Sequence, residues 1–130
     1  MKKISFLLLT ILPLFGCDPE RCSTYYINNK SAQDISLNYV SKSPNFYKKI
    51  IIGADSNDLF SDKTCAIGGI SIDIDADSIY LSHEDEILKI WKPDSEGKNI
   101  YNIERDWYVR ESPKDNFIYI FEITNEDLNR

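Results

Sequence analysis

Between Ser23 and Ile123 no apolar stripe of helical spacing runs for a useful length; apolar residues come in short runs, broken repeatedly by turn formers. A chain written this way can bury its apolar side chains only by pairing strands. Ser23–Asn28 reads as a strand, closed by the turn Asn28-Asn29-Lys30-Ser31. Ile35-Ser36-Leu37-Asn38-Tyr39 alternates apolar with polar, as a half-buried strand does. Ser41–Asn45 is a loop around Pro44, and Tyr47–Ile52 is a strand ended by Gly53. The polar stretch Ala54–Lys63 predicts an irregular segment with Leu59-Phe60 as its apolar anchor; Cys65–Ile67 would open a further strand before Gly68-Gly69.

The second half is more legible. Ile70–Ile74 and Ile79–Leu81 read as strands flanking Asp75-Ala76-Asp77, and Glu86–Lys92 follows, ending at Pro93. Asp94-Ser95-Glu96-Gly97 is a turn signal. Tyr101–Ile103 and Trp107–Arg110 come next, closed by Pro113. Phe117–Ile123 is apolar on nearly both faces, which predicts a strand in the middle of a sheet or between layers. Thr124 is placed to cap one closing helical turn through Asp127. About seven to nine strands, spaced at roughly 8–12 residues, predict an all-β fold: an antiparallel β-sandwich of immunoglobulin-like size, with a small β-barrel as the alternative.

Ahead of this domain stand Lys2 and Lys3, the apolar run Ile4–Phe15, then Gly16 and Cys17. The run has the length of a signal-peptide core and is too short to span a bilayer. In this order the residues resemble the signal peptide of a small bacterial lipoprotein ending in a lipobox, although Phe15 stands where a small residue is usual. The resemblance implies cleavage before Cys17, acylation of that cysteine, and a home in the bacterial cell envelope on the inner or outer membrane. It divides the chain into a leader at 1–16, an acylated cysteine and tether at 17–22, and one β-domain at 23–130. Two or three acyl chains hold stably where one does not. Asp18 resembles an inner-membrane retention signal in some Gram-negative bacteria. Acidic residues after the cysteine resemble a surface-export signal in others, so the leaflet stays open.

The whole chain carries 15 basic and 21 acidic residues. Removing residues 1–16 takes two lysines away and leaves 114 residues with 13 basic against 21 acidic side chains, a net charge of −8. Such a surface repels phosphate backbones and anionic headgroups, so nucleic acid is not an expected partner and the acyl chains must do the membrane binding. A cationic protein partner fits the charge. With Cys17 acylated, Cys22 and Cys65 remain as a pair in an oxidising compartment and predict a disulfide, two free core thiols being the alternative. The bridge closes a loop of about 44 residues and contributes on the order of 4 kcal/mol in the chain-entropy account. Cys22 lies five residues beyond Cys17, so the tether reaches at most about 18 Å and keeps the domain close to its membrane.

Motifs for chemistry are sparse. Asp73, Asp75 and Asp77, with Glu84 at the twelfth position, resemble the spacing of an EF-hand calcium loop. Ser78 replaces the glycine that the loop requires, and plain strand alternation of Asp73 and Asp75 with Ile72 and Ile74 explains the pattern as well. His83, the only histidine, sits among Glu84, Asp85 and Glu86 and reads as a surface-loop residue, without a nucleophile motif to serve. Gly68-Gly69 lacks the lysine of a phosphate loop. Asp77-Ser78-Ile79 resembles a bacterial O-glycosylation acceptor at Ser78. Trp91, on one face with Ile87 and Lys89, and Trp107, on one face with Val109, are expected in the core with Phe117, Tyr119, Phe121 and Ile123. Tyr25 or Tyr26, Tyr101 and Tyr108 are the aromatics expected on a surface. No catalytic residue, metal site or cofactor is expected. The expectation is a non-enzymatic, lipid-anchored module whose sheet face or edge binds another envelope protein, an immunity protein being one version. A glycan- or cell-wall-binding domain with exposed aromatics is the alternative.

Overall fold

The computed structural model describes residues 20–42, 45–67, 74–112 and 115–128. Alternation governs the first strand, β1 (Glu20–Asn29): Ser23, Tyr25, Ile27 and Asn29 are buried while Thr24, Tyr26 and Asn28 point the other way and are half-buried. The chain then forms β2 (Ile35–Lys42), β3 (Asn45–Ile52), β4 (Ser56–Ile67), β5 (Ser78–His83) and β6 (Glu86–Trp91). A short helix α1 (Ile103–Asp106), strands β7 (Tyr108–Ser112) and β8 (Asn116–Ile123), and a closing turn α2 (Asn125–Leu128) complete it.

These strands make two four-stranded sheets, ordered β4-β1-β8-β7 and β3-β2-β5-β6. The result is a sandwich with separate sheets, not a closed barrel. Every pairing is antiparallel except β1 with β8, which run parallel from Cys22↔Asn116 to Asn29↔Ile123. The C-terminal strand therefore returns beside the N-terminal one in the centre of its sheet. Cys22 and Cys65 are joined by a disulfide, and they sit directly opposite one another in the β1–β4 ladder. The bridge staples neighbours within one sheet and does not cross the core.

Between the sheets lies a chain of rings. Tyr25 stacks on Tyr119 at 4.7 Å and meets the edge of Trp107 at 5.8 Å. Trp107 in turn packs on Phe60 and Phe121, Phe121 on Trp91, and Phe60 on Tyr39. Ile27, Ile35, Leu37, Ile52, Ile79, Leu81 and Ile123 fill the spaces and are fully buried, each contributing about 2 kcal/mol relative to exposure. Both indole N–H groups are satisfied by one loop: Trp91 Nε1 donates to the Lys98 carbonyl at 3.0 Å and Trp107 Nε1 to that of Ile100 at 2.8 Å. The crossing from β6 to β7 is thereby pinned over the core, with Ile100 as its plug.

Three expectations are corrected. Residues expected to be irregular around Leu59-Phe60 belong to the twelve-residue β4. Irregular register between Ser23 and Tyr26 lets Leu59 pair with Tyr26 and Ser61 with Tyr25, while Phe60 turns inward. An edge strand with one wet face tolerates that polar composition. Tyr101–Ile103 is not a strand, because asparagines claim the backbone: Asn99 Oδ1 accepts from the Tyr101 N–H, and Asn102 Oδ1 caps α1 through the Arg105 N–H. Of the pair Tyr25 or Tyr26 expected on a surface, Tyr25 is in the core at 1% exposure and Tyr26 is the one on the outer face, half-buried. Ile87 leaves the face of Trp91, since a register shift between Leu81 and Ser82 turns it outward. Thr124 does open a closing helical turn: Asp127 Oδ2 accepts from both the Thr124 N–H and its hydroxyl. The expected strand at Ile70–Ile74 lies outside the described residues except for Ile74, which packs against the core.

Candidate functional site

The same alternation that buries Tyr25, Ile27, Phe121 and Ile123 sends Tyr26, Ile118 and Ile120 to the outer face of the β4-β1-β8-β7 sheet. Register then aligns Leu59, Tyr26, Ile120 and Tyr108 in one row across all four strands. Leu59 and Tyr108 are exposed, at 37% and 43%, and Tyr26, Ile118 and Ile120 are half-buried. On one side of this row stand Asn57, Asn28 and Glu122; on the other stand Thr24, Ile118 and Arg110. A groove of about 290 Å³ follows, lined by Tyr26, Asn28, Asn57, Arg110, Ile118 and Ile120. Its floor is apolar and aromatic; its rim offers two side-chain amides and a guanidinium that makes no ion pair among the described residues.

The charged groups beyond the rim are tied down. Lys30 pairs with Glu122, which raises the Lys30 pKa through a hydrogen bond and charge. Arg105 holds the Asp106 carboxyl below the usual carboxylate range through a side-chain hydrogen bond; burial works against it and the Asn99 N–H assists. Burial pushes Asp127 up, but hydrogen bonds from Lys98 and the Thr124 N–H, with the charges of Lys98 and Lys89, outweigh it and leave that carboxyl low. These pairs brace the loop and C-terminus beside the sheet face.

The residues singled out for chemistry are not brought together. Asp77 Oδ2 accepts the Lys42 N–H at 2.6 Å at the start of β5, whereas Glu84 sits in the turn after β5 with φ of 50°. A six-residue strand, roughly 20 Å long, lies between them, which takes the calcium-loop reading apart. Asp75 is exposed and Asp73 lies outside the described residues, as does Cys17. Among the described residues no group of three or more His, Cys, Asp and Glu side chains is placed to hold a metal ion. His83 Nδ1 lies 2.6 Å from the Asp34 carbonyl and fastens the β5–β6 turn to the loop before β2. Ser78 is half-buried, paired with Val40. The Tyr101 hydroxyl donates to the Ala76 carbonyl, and burial followed by the charge of Asp77 pushes its pKa up to about 12.

Both indoles are buried, Trp91 at 1% and Trp107 at 4%, so an outer aromatic platform here consists of tyrosines. Two features escaped the sequence reading. Ile118 and Ile120 were visible as the second apolar face of Phe117–Ile123, but that pattern reads as cover from both sides rather than as an open face. Phe46, Tyr47 and Ile51, exposed at 46%, 58% and 65%, lie on β3, where every sequence signal said strand and none said edge. The chain matches no known protein family, no curated protein and no solved structure.

Proposed function

We propose that this protein is a lipid-anchored, non-enzymatic module of the bacterial cell envelope that binds another protein through the outer face of its β4-β1-β8-β7 sheet. The observation that supports it is the row Leu59–Tyr26–Ile120–Tyr108: an apolar strip crossing a whole sheet, with amides and one guanidinium at its rim. Large half-exposed aromatics with adjacent arginine are what protein interfaces enrich. The tether adds orientation. From Cys17 to Glu20 the chain spans at most about 11 Å, so acylation would set the Cys22–Cys65 end of the sandwich at the membrane. The sheet face then stands upright and open to a neighbour. The net charge of −8 favours a cationic partner, and an immunity protein against a cationic toxin is one version of this reading.

The test is capture of partners by the tagged, detergent-extracted full chain from its own envelope, compared with Ile120→Asp. A stoichiometric protein that is lost by about tenfold or more in Ile120→Asp, and weakened by salt, supports the reading. Capture indifferent to Ile120→Asp and to Tyr26→Ala removes the face from the account.

One observation favours a second reading, a cell-wall saccharide in the groove: a tyrosine floor ringed by Asn28, Asn57 and Arg110 offers ring stacking and hydrogen bonds. It predicts saccharide-induced shifts in Tyr26 and Arg110 resonances with little salt dependence. Tryptophan fluorescence would not report it, because both indoles lie in the core.

A further inference from the structure

A sandwich of this kind has four sheet edges, and three of them are blunted. β4 is broken by register irregularities, β6 carries a register shift against β5, and β7 is only five residues long. β3 is different. It runs eight residues in unbroken register with β2, from Lys42↔Asn45 to Ile35↔Ile52. It contains no proline, and its outer side is unpaired by any described strand. Residues 45–49 are exposed on both faces of the strand, so its first half stands clear of the sandwich as a ledge. Below the ledge a cleft of about 260 Å³ opens between β3 and β4, lined by Lys48, Leu59, Phe60, Ser61 and Thr64.

Long, regular and apolar edges are templates for a further strand. The side chains say which kind. Lys48 and Lys49 sit at the centre of β3, one on each face, and neither makes an ion pair among the described residues. Lys48 rests its ammonium 5.9 Å over the Tyr39 ring at the cleft. On a domain of net charge −8 this edge is a local positive site. A second copy of the chain is a poor occupant, because each central antiparallel register of β3 against itself sets a lysine directly opposite a lysine, and like charges directly opposed destabilise a strand pair.

We infer that β3 is a strand-addition site for an extended, acidic segment of another protein. That segment sets carboxylates against Lys48 and Lys49 on its two faces and an apolar side chain over the cleft floored by Phe60. Main-chain hydrogen bonds supply the pairing and the two lysines supply register and selectivity. This inference deepens the protein-binding reading, and rests on it only for the source of the strand; the edge differs from the sheet face proposed above and meets it only at Leu59, which ends that row and also lines the cleft.

The test uses the isotopically labelled full chain in detergent and two eight-residue probe peptides. One has a central Glu-Glu pair flanked by alternating valine and threonine; the other has Lys-Lys at its centre. The acidic peptide should shift and protect the amides of residues 45–52 and leave β6 and β7 unchanged, and the basic peptide should not bind. In the Lys48→Glu/Lys49→Glu variant the affinity for the acidic peptide should fall by at least about tenfold, with the preference reversed toward the basic one. Both lysines are exposed, so the variant keeps the fold, which its unchanged β5–β6 resonances verify. Equal binding of both peptides, protection at another edge, or self-association abolished by the charge reversal overturns the inference. The two proposals fail separately: loss of binding in Lys48→Glu/Lys49→Glu with none in Ile120→Asp leaves the edge and removes the face, and the converse removes the edge.

Discussion

Replacing Cys22 and Cys65 together by serine removes a bond whose contribution is computable from its place in the chain. The cysteines are 43 residues apart in sequence, and the loop-closure relation for a ring of that size gives about 4 kcal/mol at 25 °C. The folded state needs the bond little. Arg21↔Ala66 and Ser23↔Thr64 hold the two strands in register on either side of it, so both positions stay opposed when the sulfurs are gone. The cost therefore falls on the unfolded chain, which regains the freedom of everything between β1 and β4. For a domain of roughly 110 residues each kcal/mol moves the unfolding midpoint by about 4 °C, so the double serine variant should melt about 15 °C below the parent. Thermal and urea unfolding followed by circular dichroism read this directly, and the parent unfolded in reductant should coincide with the variant. Cys65 is exposed, so reductant reaches the bond. A loss below about 1 kcal/mol, or amide shifts spreading beyond β1 and β4, would refute the reasoning. The first would mean that the unfolded chain already keeps these strands together, the second that the bond shapes the native sheet.

Two further predictions come from buried polar groups. The Tyr39 hydroxyl is buried without a hydrogen-bond partner among the described residues, and burial drives its pKa upward. Tyr39→Phe should therefore leave stability unchanged or raise it by about 1 kcal/mol in urea unfolding, and a loss of more than that would reveal a bond to the hydroxyl. Asp127 and Asp106 have folded pKa values depressed below 3.8, so the stability they contribute is present above about pH 4 and lost as pH falls through the depressed values. Asp127→Asn should be less stable than the parent at neutral pH with the gap closing in acid; a gap that does not narrow as the pH is lowered contradicts the assignment.

The layers of the fold were legible because alternation is a local signal: Ile35–Tyr39, Ile79–Leu81 and Phe117–Ile123 announce strands from their own side chains. What failed was non-local. Ser56–Ile67 looks irregular until it is paired with β1, whose irregular register absorbs its pattern. Tyr101–Ile103 looks like a strand until the side chains of Asn99 and Asn102 take its backbone. The disulfide was legible from counting cysteines on the expectation that the leader sends the chain to an oxidising compartment, while its position within one sheet was not. For the candidate surfaces the sequence named residue types without their setting. Ile118 and Ile120 proclaim a second apolar face, but only the strand order shows that nothing described lies over it. Lys48 and Lys49 become an edge signal only once β3 is known to have a partner on one side alone.

The claim at the centre of this account is that the outer face of the β4-β1-β8-β7 sheet meets another protein at the membrane. Photo-crosslinking in intact cells tests it most directly, with a photoreactive residue placed at Tyr26, at Tyr108 and, as a control, at the exposed Asp94 in the turn after β6. The account predicts one and the same protein adduct from positions 26 and 108, lost in Ile120→Asp and absent from position 94. No protein adduct from either tyrosine position, or the same adducts from position 94, would contradict it.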